Sequence, residues 1–334
     1  MTTYPSIQRI LTIDDVGYGD RDGFVADPFV VRNEGDIDHL FFEVFYRDPR
    51  EKVVGCAKRT KEMEWEYEGI AIKNDEFEYS FPYTFQYDSG WYMLPSIANT
   101  DGTQPPLILY KAVDFPLKWK VESKFDIRGV DPIVFQLDHK WYLICNEDHK
   151  TKLYFSEDLV KDNWKEHPSG PLNSESRLSR MGGRPVNVGG SLYLMYQDGY
   201  YHYGEQVRCC RVIELDEESF QQQEINESPI VSGQYNQSWN HLGMHHVDFY
   251  LPGNFVIVDG HNNDGWSIGM ASYENNTIPT RLTPSPEEFD IKKSVRRSHQ
   301  VTLDRINIVQ KASEYRKENG MKATASKGFQ KLIN

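Results

Sequence analysis

Four prolines punctuate the chain, at Pro28, Pro82, Pro132 and Pro185, at spacings of 54, 50 and 53 residues. The residues just before them are Asp27, Phe81, Asp131 and Arg184. Two carboxylates and a guanidinium in matching positions can do definite chemistry. A carboxylate takes a proton from a hydroxyl. An arginine clasps a phosphate or carboxylate in two-pronged fashion. An arginine facing both aspartates also favours their ionised forms, which suits a base or a ligand clamp. Arginine is always charged and is a poor proton donor.

These residues act together only if the fold brings them together. Each proline opens a short β-rich run that a turn and a second aromatic strand follow, as in Ser80 to Phe85, then Gly90 to Leu94. The other units start at Ala26, Val130 and Gly183. A fifth, from His245 to Met270, lacks the proline. Five units of about four strands, repeating every fifty residues, predict an all-β fold, a five-bladed β-propeller. The strand expected over Ile7 to Ile13 is left over and would complete the last blade. In such a ring Asp27, Phe81, Asp131, Arg184 and His245 or His246 share one mouth of the channel.

Further candidates follow from the same frame. Glu43 lies on an expected inner strand and would point into the pocket or end at the surface. Gln197 and Asp198 follow the strand from Leu192 to Tyr196 and would bind ligand hydroxyls or form a turn. Phe81 and Tyr83 are candidates for substrate contact. His241, His245, His246 and Asp248 resemble a ligand set, yet adjacent strand residues point to opposite faces, so one of His245 and His246 at most is expected at the channel floor. A cation there would be calcium-like, bound by carboxylate, histidine and water; no metal ligand is assigned and no cofactor is certain. The stretch from Asp259 to Gly265 reads as a hairpin loop.

Composition bounds the rest. The 334 residues carry a net charge of −13, with 39% hydrophobic and 13% aromatic residues. The last 44 residues, Ile291 to Asn334, hold a net of +8, leaving −21 on the remainder. That body repels nucleic acid, whose binding rests on phosphate neutralisation. Cys56, Cys145, Cys209 and Cys210 form no Cys-x-x-Cys pattern, and are read as small core residues. No Gly-x-Gly-x-x-Gly, phosphate-binding Gly-Lys-Ser/Thr loop or Gly-x-Ser-x-Gly is present. No run is apolar enough to span a bilayer and the start has no signal-peptide layout, so a cytoplasmic location is expected. Two regions are expected: the propeller over 1–285 and a basic helical extension over 286–334. The helix, from Ser298 to Glu318, would cross the acidic body or dock peripherally on an anionic membrane.

The motif Ala26-Asp27-Pro28 resembles the general-base motif of the five-bladed glycoside hydrolase family 43. Asp131-Pro132 resembles that family's second aspartate, which tunes pKa. Where the family carries its acidic glutamate, this chain reads Gly183-Arg184-Pro185, and the acid is missing. A closer resemblance is to the propeller at the N-terminus of plant glucosamine inositolphosphorylceramide transferases. It rests on Ala-Asp-Pro-Phe with Phe-Phe-Glu at 41–43, Ser-Phe-Pro-Tyr at 80–83, Tyr-Met-Leu-Pro at 92–95 and Phe-Pro-Leu-Lys-Trp at 115–119. Val-Asp-Pro at 130–132, Gly-Arg-Pro at 183–185, Gln197-Asp198 and Tyr203-Gly204 complete it. Ser96 departs from it, where relatives tend to carry Glu. The resemblance spans roughly residues 20 to 270; the glycosyltransferase domain that follows in the plant proteins is not expected after residue 285.

The resemblance implies carbohydrate chemistry in glycan biosynthesis. The leading expectation is glycosyl transfer from an activated sugar, with Asp27 and Asp131 catalytic. Asp27 would be base toward an acceptor hydroxyl and Arg184 would hold a phosphate of a nucleotide sugar. For Arg184 an ion pair across the channel is the plainer reading. Phe81, Tyr83, Glu43, Gln197, Asp198 and His246 would contact substrate. A family-43-like hydrolase using another acid, Glu43 or Glu175, is one alternative. A non-catalytic sugar-binding propeller is the other.

Overall fold

The computed structural model describes residues 4–17, 22–33, 35–59, 64–173, 177–178, 180–234, 237–273 and 281–283. These form five antiparallel sheets arranged as the blades of a propeller. The N-terminal strand is β1 (Gln8–Leu11). Blade one is β2 (Gly23–Arg32), β3 (Asp38–Tyr46), β4 (Glu51–Arg59) and β5 (Glu66–Ile72). Blade two is β6 (Phe77–Tyr87), β7 (Gly90–Asn99), β8 (Leu107–Asp114) and β9 (Lys118–Phe125). Blade three is β10 (Val130–Leu137), β11 (Lys140–Glu147), β12 (Lys150–Ser156) and β13 (Lys165–Glu166). Blade four holds β14 (Arg180–Met181), β15 (Val186–Val188), β16 (Ser191–Asp198), β17 (Gln206–Leu215), β18 (Phe220–Glu224) and β19 (Val231–Ser232). Blade five is β20 (Val247–Tyr250), β21 (Phe255–His261) and β22 (Trp266–Ser272). It is completed by β1, which pairs with β22, Gln8 opposite Met270 and Leu11 opposite Ile268.

Burial explains why the strands read as they do. In β3 every residue from Asp38 to Tyr46 is buried, because both faces of a middle strand pack on something. Its near-continuous apolar run, Leu40-Phe41-Phe42-Glu43-Val44-Phe45, follows from that. The outer strand β9 carries Lys118, Lys120 and Lys124 and is largely exposed; charges along an open edge discourage pairing with another chain. The largest apolar cluster runs from Phe29, Phe81 and Tyr83 through Leu94 and Tyr142 to Tyr196. All four cysteines are buried and unpaired in disulfides. Among the described residues no helix is long and apolar enough to cross a membrane.

The proline motifs mark one device, repeated. In β2, β6 and β10 the register slips between Ala26 and Phe29, Ser80 and Tyr83, and Val130 and Ile133. The residue before each proline sits in the left-handed region, at φ of 52° for Asp27, 46° for Phe81 and 52° for Asp131. Such bulges bend a strand and re-aim a side chain. Aspartate tolerates this conformation better than phenylalanine. Blade four meets the same need differently: its inner strand is split into β14 and β15, with Gly183 at φ 150° between them. A Cβ at Gly183 would lie 1.9 Å from the Val247 carbonyl oxygen, so only glycine lets blade four close on blade five there.

The described propeller ends at Thr283. The basic helical extension expected over 286–334 lies outside the described residues, as does Glu175.

Candidate functional site

Asp27 sits at the bulge of β2, 5% exposed. One oxygen, Oδ2, accepts the Phe81 backbone N–H at 3.3 Å, which ties blade one to blade two. The other, Oδ1, has no hydrogen-bond partner, but His245 Nε2 and His246 Nδ1 each stand 3.8 Å from it. Burial pushes the Asp27 carboxyl well above the ordinary aspartate value; His245 opposes this, and Glu43, Asp259 and Asp131 add to it. A carboxyl of that kind can accept and return a proton nearer neutrality.

Asp259 organises the histidines. Its Oδ1 accepts the backbone N–H groups of His245 and His246, at 3.0 and 2.9 Å. Its Oδ2 accepts the Asp27 backbone N–H at 3.2 Å and meets His245 Nδ1 at 2.7 Å. Burial alone would raise the pKa of Asp259; the His245 charge and these hydrogen bonds outweigh it and hold the carboxyl low. His245 answers in kind. Burial would lower it, but Asp259, that contact and Asp27 carry it above its ordinary value. Its ring stacks on Trp266 at 3.9 Å, and Nε2 lies 3.1 Å from the Tyr203 hydroxyl. Trp266 can lie there because Gly204 leaves room: a Cβ on it would come within 2.4 Å of the indole.

Asp131 is gripped from blade four. Arg180 Nε donates to its Oδ2 at 2.6 Å and Gln197 Nε2 to the same oxygen at 3.1 Å. Its backbone N–H donates to Ser96 Oγ at 2.7 Å. The Arg180 side chain is 33% exposed and its guanidinium lies 5.4 Å from the centre of the Tyr203 ring. Asp131, Arg180, Tyr203, His245 and Asp27 therefore form one connected line.

Arg184 lies elsewhere. Nε and Nη2 straddle the Asp248 carboxylate at 2.9 and 3.3 Å. Nη1 donates to the Thr84 carbonyl at 2.9 Å and Nη2 to the Val30 carbonyl at 3.3 Å. Its fork is thus bound to blades one, two and five. Asp248, fully buried, also accepts the Val30 N–H at 2.8 Å. Tyr83 lies under this clamp, its hydroxyl donating to the Val134 carbonyl at 2.7 Å. Burial, the largest influence, pushes that hydroxyl up to about 12.

The remaining candidates divide. Gln197 reaches the line through Asp131. Glu43 is buried beside it and pairs with Lys52 at 2.9 Å. Asp198 points the other way, to Arg208 at 2.6 Å and Gln206 at 2.9 Å. Phe81 is buried against Phe29, ring centres 4.9 Å apart. Contrary to the alternation expected, both His245 and His246 approach Asp27. They precede β20, in backbone that is not yet a strand, so the two-residue period does not apply. His241 instead faces the Ser238 carbonyl. The expected hairpin over Asp259–Gly265 is shorter: β21 runs on to His261 and Asp259 is a buried strand residue. Sequence reasoning missed Arg180 and the role of Asp259. An arginine three residues before Gly183 was the available signal for the first.

His246 is fully buried, its ring 4.5 Å from that of Phe29 and 5.4 Å from that of Phe81, both edge-on. Burial takes its pKa down to about 3. A folded pKa below the unfolded one means that stability is lost as the pH falls below about 6.5, by about 2 kcal/mol at pH 5. His245 has the opposite sign and gains stability over that range. The His246→Leu variant should therefore lose this acid sensitivity. Urea midpoints at pH 7.5 and 5 measure it; an unchanged difference between the two pH values would show that His246 is not held neutral.

Two clusters could suggest a cation. Asp27, His245 and Asp259 bring one ligand atom each within 4.8 Å. Yet Asp259 already takes three backbone N–H donors, and His245 Nδ1 faces it. Calcium needs six to eight oxygens, and the free ones here reduce to Asp27 Oδ1. The fit is poor. His39, Cys56 and Glu68 form the second set. Asn33 Oδ1 accepts the N–H groups of Gly35 and Ile37, so its Nδ2 faces His39 Nε2 at 3.3 Å. That contact makes Nε2 the acceptor and leaves the proton on Nδ1, toward Glu68 at 3.2 Å. A protonated Nδ1 is no ligand.

The fold and this cluster define a class: five-bladed β-propellers with buried carboxylates on their inner strands. Within it, the chain belongs to the family described as glucosamine inositolphosphorylceramide transferase 1, N-terminal, whose model matches residues 2–261. It is 32% identical over 253 residues to glucosamine inositolphosphorylceramide transferase 1 of Arabidopsis thaliana, covering 71% of this chain and 32% of the relative. The protein of that name from Oryza sativa subsp. japonica is 29% identical over 237 residues, covering 67% and 31%. The chain thus spans about a third of the curated relatives it matches. Among solved structures, a GH43_1 enzyme from Xanthomonas citri complexed with xylotriose superposes with a TM-score of 0.58 at 13% identity, covering 84% of this chain and 95% of that one. A GH130-family structure from work on mannoside phosphorylases and hydrolases of Candida mannan gives 0.59 at 13% identity, covering 84% and 97%. At such identities these two show the shared fold.

Proposed function

We propose that this chain is a carbohydrate-active propeller of glycan biosynthesis that transfers a glycosyl group from a nucleotide sugar at the Asp27 mouth. Asp27 takes the proton of the acceptor hydroxyl as that oxygen bonds to the sugar carbon. The bond to the diphosphate breaks, and its electron pair leaves with the phosphate. Arg180 stabilises that departing charge. This contact is assigned to Arg180 rather than Arg184 because Arg184's fork is held by Asp248 and two carbonyls. One observation carries the reading: Arg180 is anchored through Nε alone, its terminal nitrogens have no hydrogen-bond partner among the described residues, and Asp27 is among the carboxylates whose charge raises its pKa.

The family relationship supports the substrate class, since the relatives are named glucosamine inositolphosphorylceramide transferases. Tyr200 and Tyr201, 56% and 61% exposed, supply aromatic faces for sugar rings, with Arg177 4.7 Å over Tyr200. The missing fourth-blade acid favours transfer over hydrolysis, because a diphosphate leaves without being protonated.

Thermal denaturation against panels of nucleotide sugars and neutral oligosaccharides tests this. A nucleotide sugar at about 100 times its Kd should stabilise the protein by about 2.7 kcal/mol. The gain should vanish in Arg180→Met and persist in Arg184→Lys. A response confined to oligosaccharides would overturn the transferase reading. Release of shorter products would then identify a hydrolase, and binding alone a sugar-binding module.

A further inference from the structure

Asp27 is deeply buried, yet a carboxyl that takes up protons must give them back to water between turnovers. We infer that Asp27, His245 and Tyr203 form a proton relay that joins the buried carboxyl to solvent. The inference rests on the reading of Asp27 as the proton acceptor, though its test does not.

Exposure is 5% at Asp27 and 2% at His245, and reaches 43% only at Tyr203. His245 is the middle link and is fixed in three ways. Asp259 fixes the tautomer, since Nδ1 lies 2.7 Å from its Oδ2, so the proton of the neutral ring sits on Nδ1 and Nε2 is left as acceptor. Such a carboxylate partner orients an imidazole and stabilises its charged form. Trp266 holds the plane of the ring from one face. The Tyr203 hydroxyl sits 3.1 Å from Nε2, and Arg180 over its ring holds the phenol in place. The charged and titratable groups around His245 are Asp259 and His261 from β21, Asp27 from β2, Arg180 from β14, Tyr203 from the β16–β17 loop and neighbouring His246. Of these only Asp27 and Tyr203 face Nε2.

The transfers balance. Asp27 Oδ1 gives its proton to Nε2 across a gap of 3.8 Å, which a small rotation or one water closes. His245 becomes the imidazolium that Asp259 favours. Nε2 then passes a proton to the Tyr203 oxygen as that hydroxyl releases its own to water. Neither a free phenolate nor a net change in the protein is left behind.

Titration of the His245 ring by NMR, on the full chain with labelled histidine, tests the relay without any substrate. The midpoint in the wild type should lie above the ordinary 6.5 and fall by about a unit or more in Asp27→Asn, where the facing carboxylate is lost. In Tyr203→Phe it should hardly move, while exchange of the ring proton with water slows at least tenfold. Phenylalanine keeps the ring under Arg180, so that variant retains the local packing even should Asp27→Asn fail to fold. An unmoved midpoint in Asp27→Asn, or wild-type exchange in Tyr203→Phe, overturns the relay. A relay that behaves as expected in a protein that turns over no nucleotide sugar would refute only the transferase reading.

Discussion

Asp27→Asn should reduce turnover by about 10²- to 10⁴-fold, the usual worth of a positioned proton acceptor, in a protein that folds as well as the wild type. The fold is spared because asparagine keeps everything Asp27 does structurally. Its carbonyl oxygen can still accept the Phe81 N–H, and the backbone N–H still donates to Asp259. Asparagine also tolerates the left-handed backbone that φ 52° demands. It removes a charge whose ionisation burial already penalises, so stability should hold or rise. The comparison needs initial rates and a melting curve for each form. Full activity in a correctly folded Asp27→Asn protein would dismiss Asp27 as the base.

The second large effect concerns stability. Arg184→Met should cost about 3–5 kcal/mol, because it leaves the Asp248 carboxylate buried without its cation. Two carbonyls, of Thr84 and Val30, lose donors at the same time. For a protein whose whole stability is of the order of 5–15 kcal/mol, that loss should lower Tm by roughly 10 °C. Combining it with Asp248→Asn should restore a good part, since the charge is gone and the amide can still accept the Val30 N–H. A melting temperature like that of the wild type, together with lost nucleotide-sugar affinity, would instead make Arg184 a ligand contact.

How much of this was legible follows from where each signal lies in the chain. Three blades were readable because the bulge in their inner strands needs the same local chemistry, which Pro28, Pro82 and Pro132 record; Pro185 keeps the phase in the split strand of blade four, and the fifth blade was read from its strand pattern alone. Asp27 and Asp131 were readable for the same reason: they occupy the bulge itself. Their partners were not. Arg180 and Asp259 carry no motif of their own, and their importance lies in contacts across 49 and 232 residues, with Asp131 and with the Asp27 backbone. Asp259 was hidden further by the turn-forming residues after it, which made a strand end look like a loop. Arg184 shows the converse. Its phase in the repeat was right, yet the split between β14 and β15 sets it where Asp248 takes its fork.

The pairing of β1 with β22 bears on how the molecule is made. A ribosome emitting about 5–20 residues per second finishes Gln8 on the order of 10–50 s before it delivers Met270, its partner across the sheet. For all that time the first strand has no place to go, and the ring has a gap where it will sit. The strand is built for waiting: Gln8 and Arg9 are exposed even in the finished blade, and Leu11 alone is buried. Four residues with so little apolar surface give a stray neighbour little to hold. The chain thus leaves its own clasp undone until everything that it fastens has been synthesised.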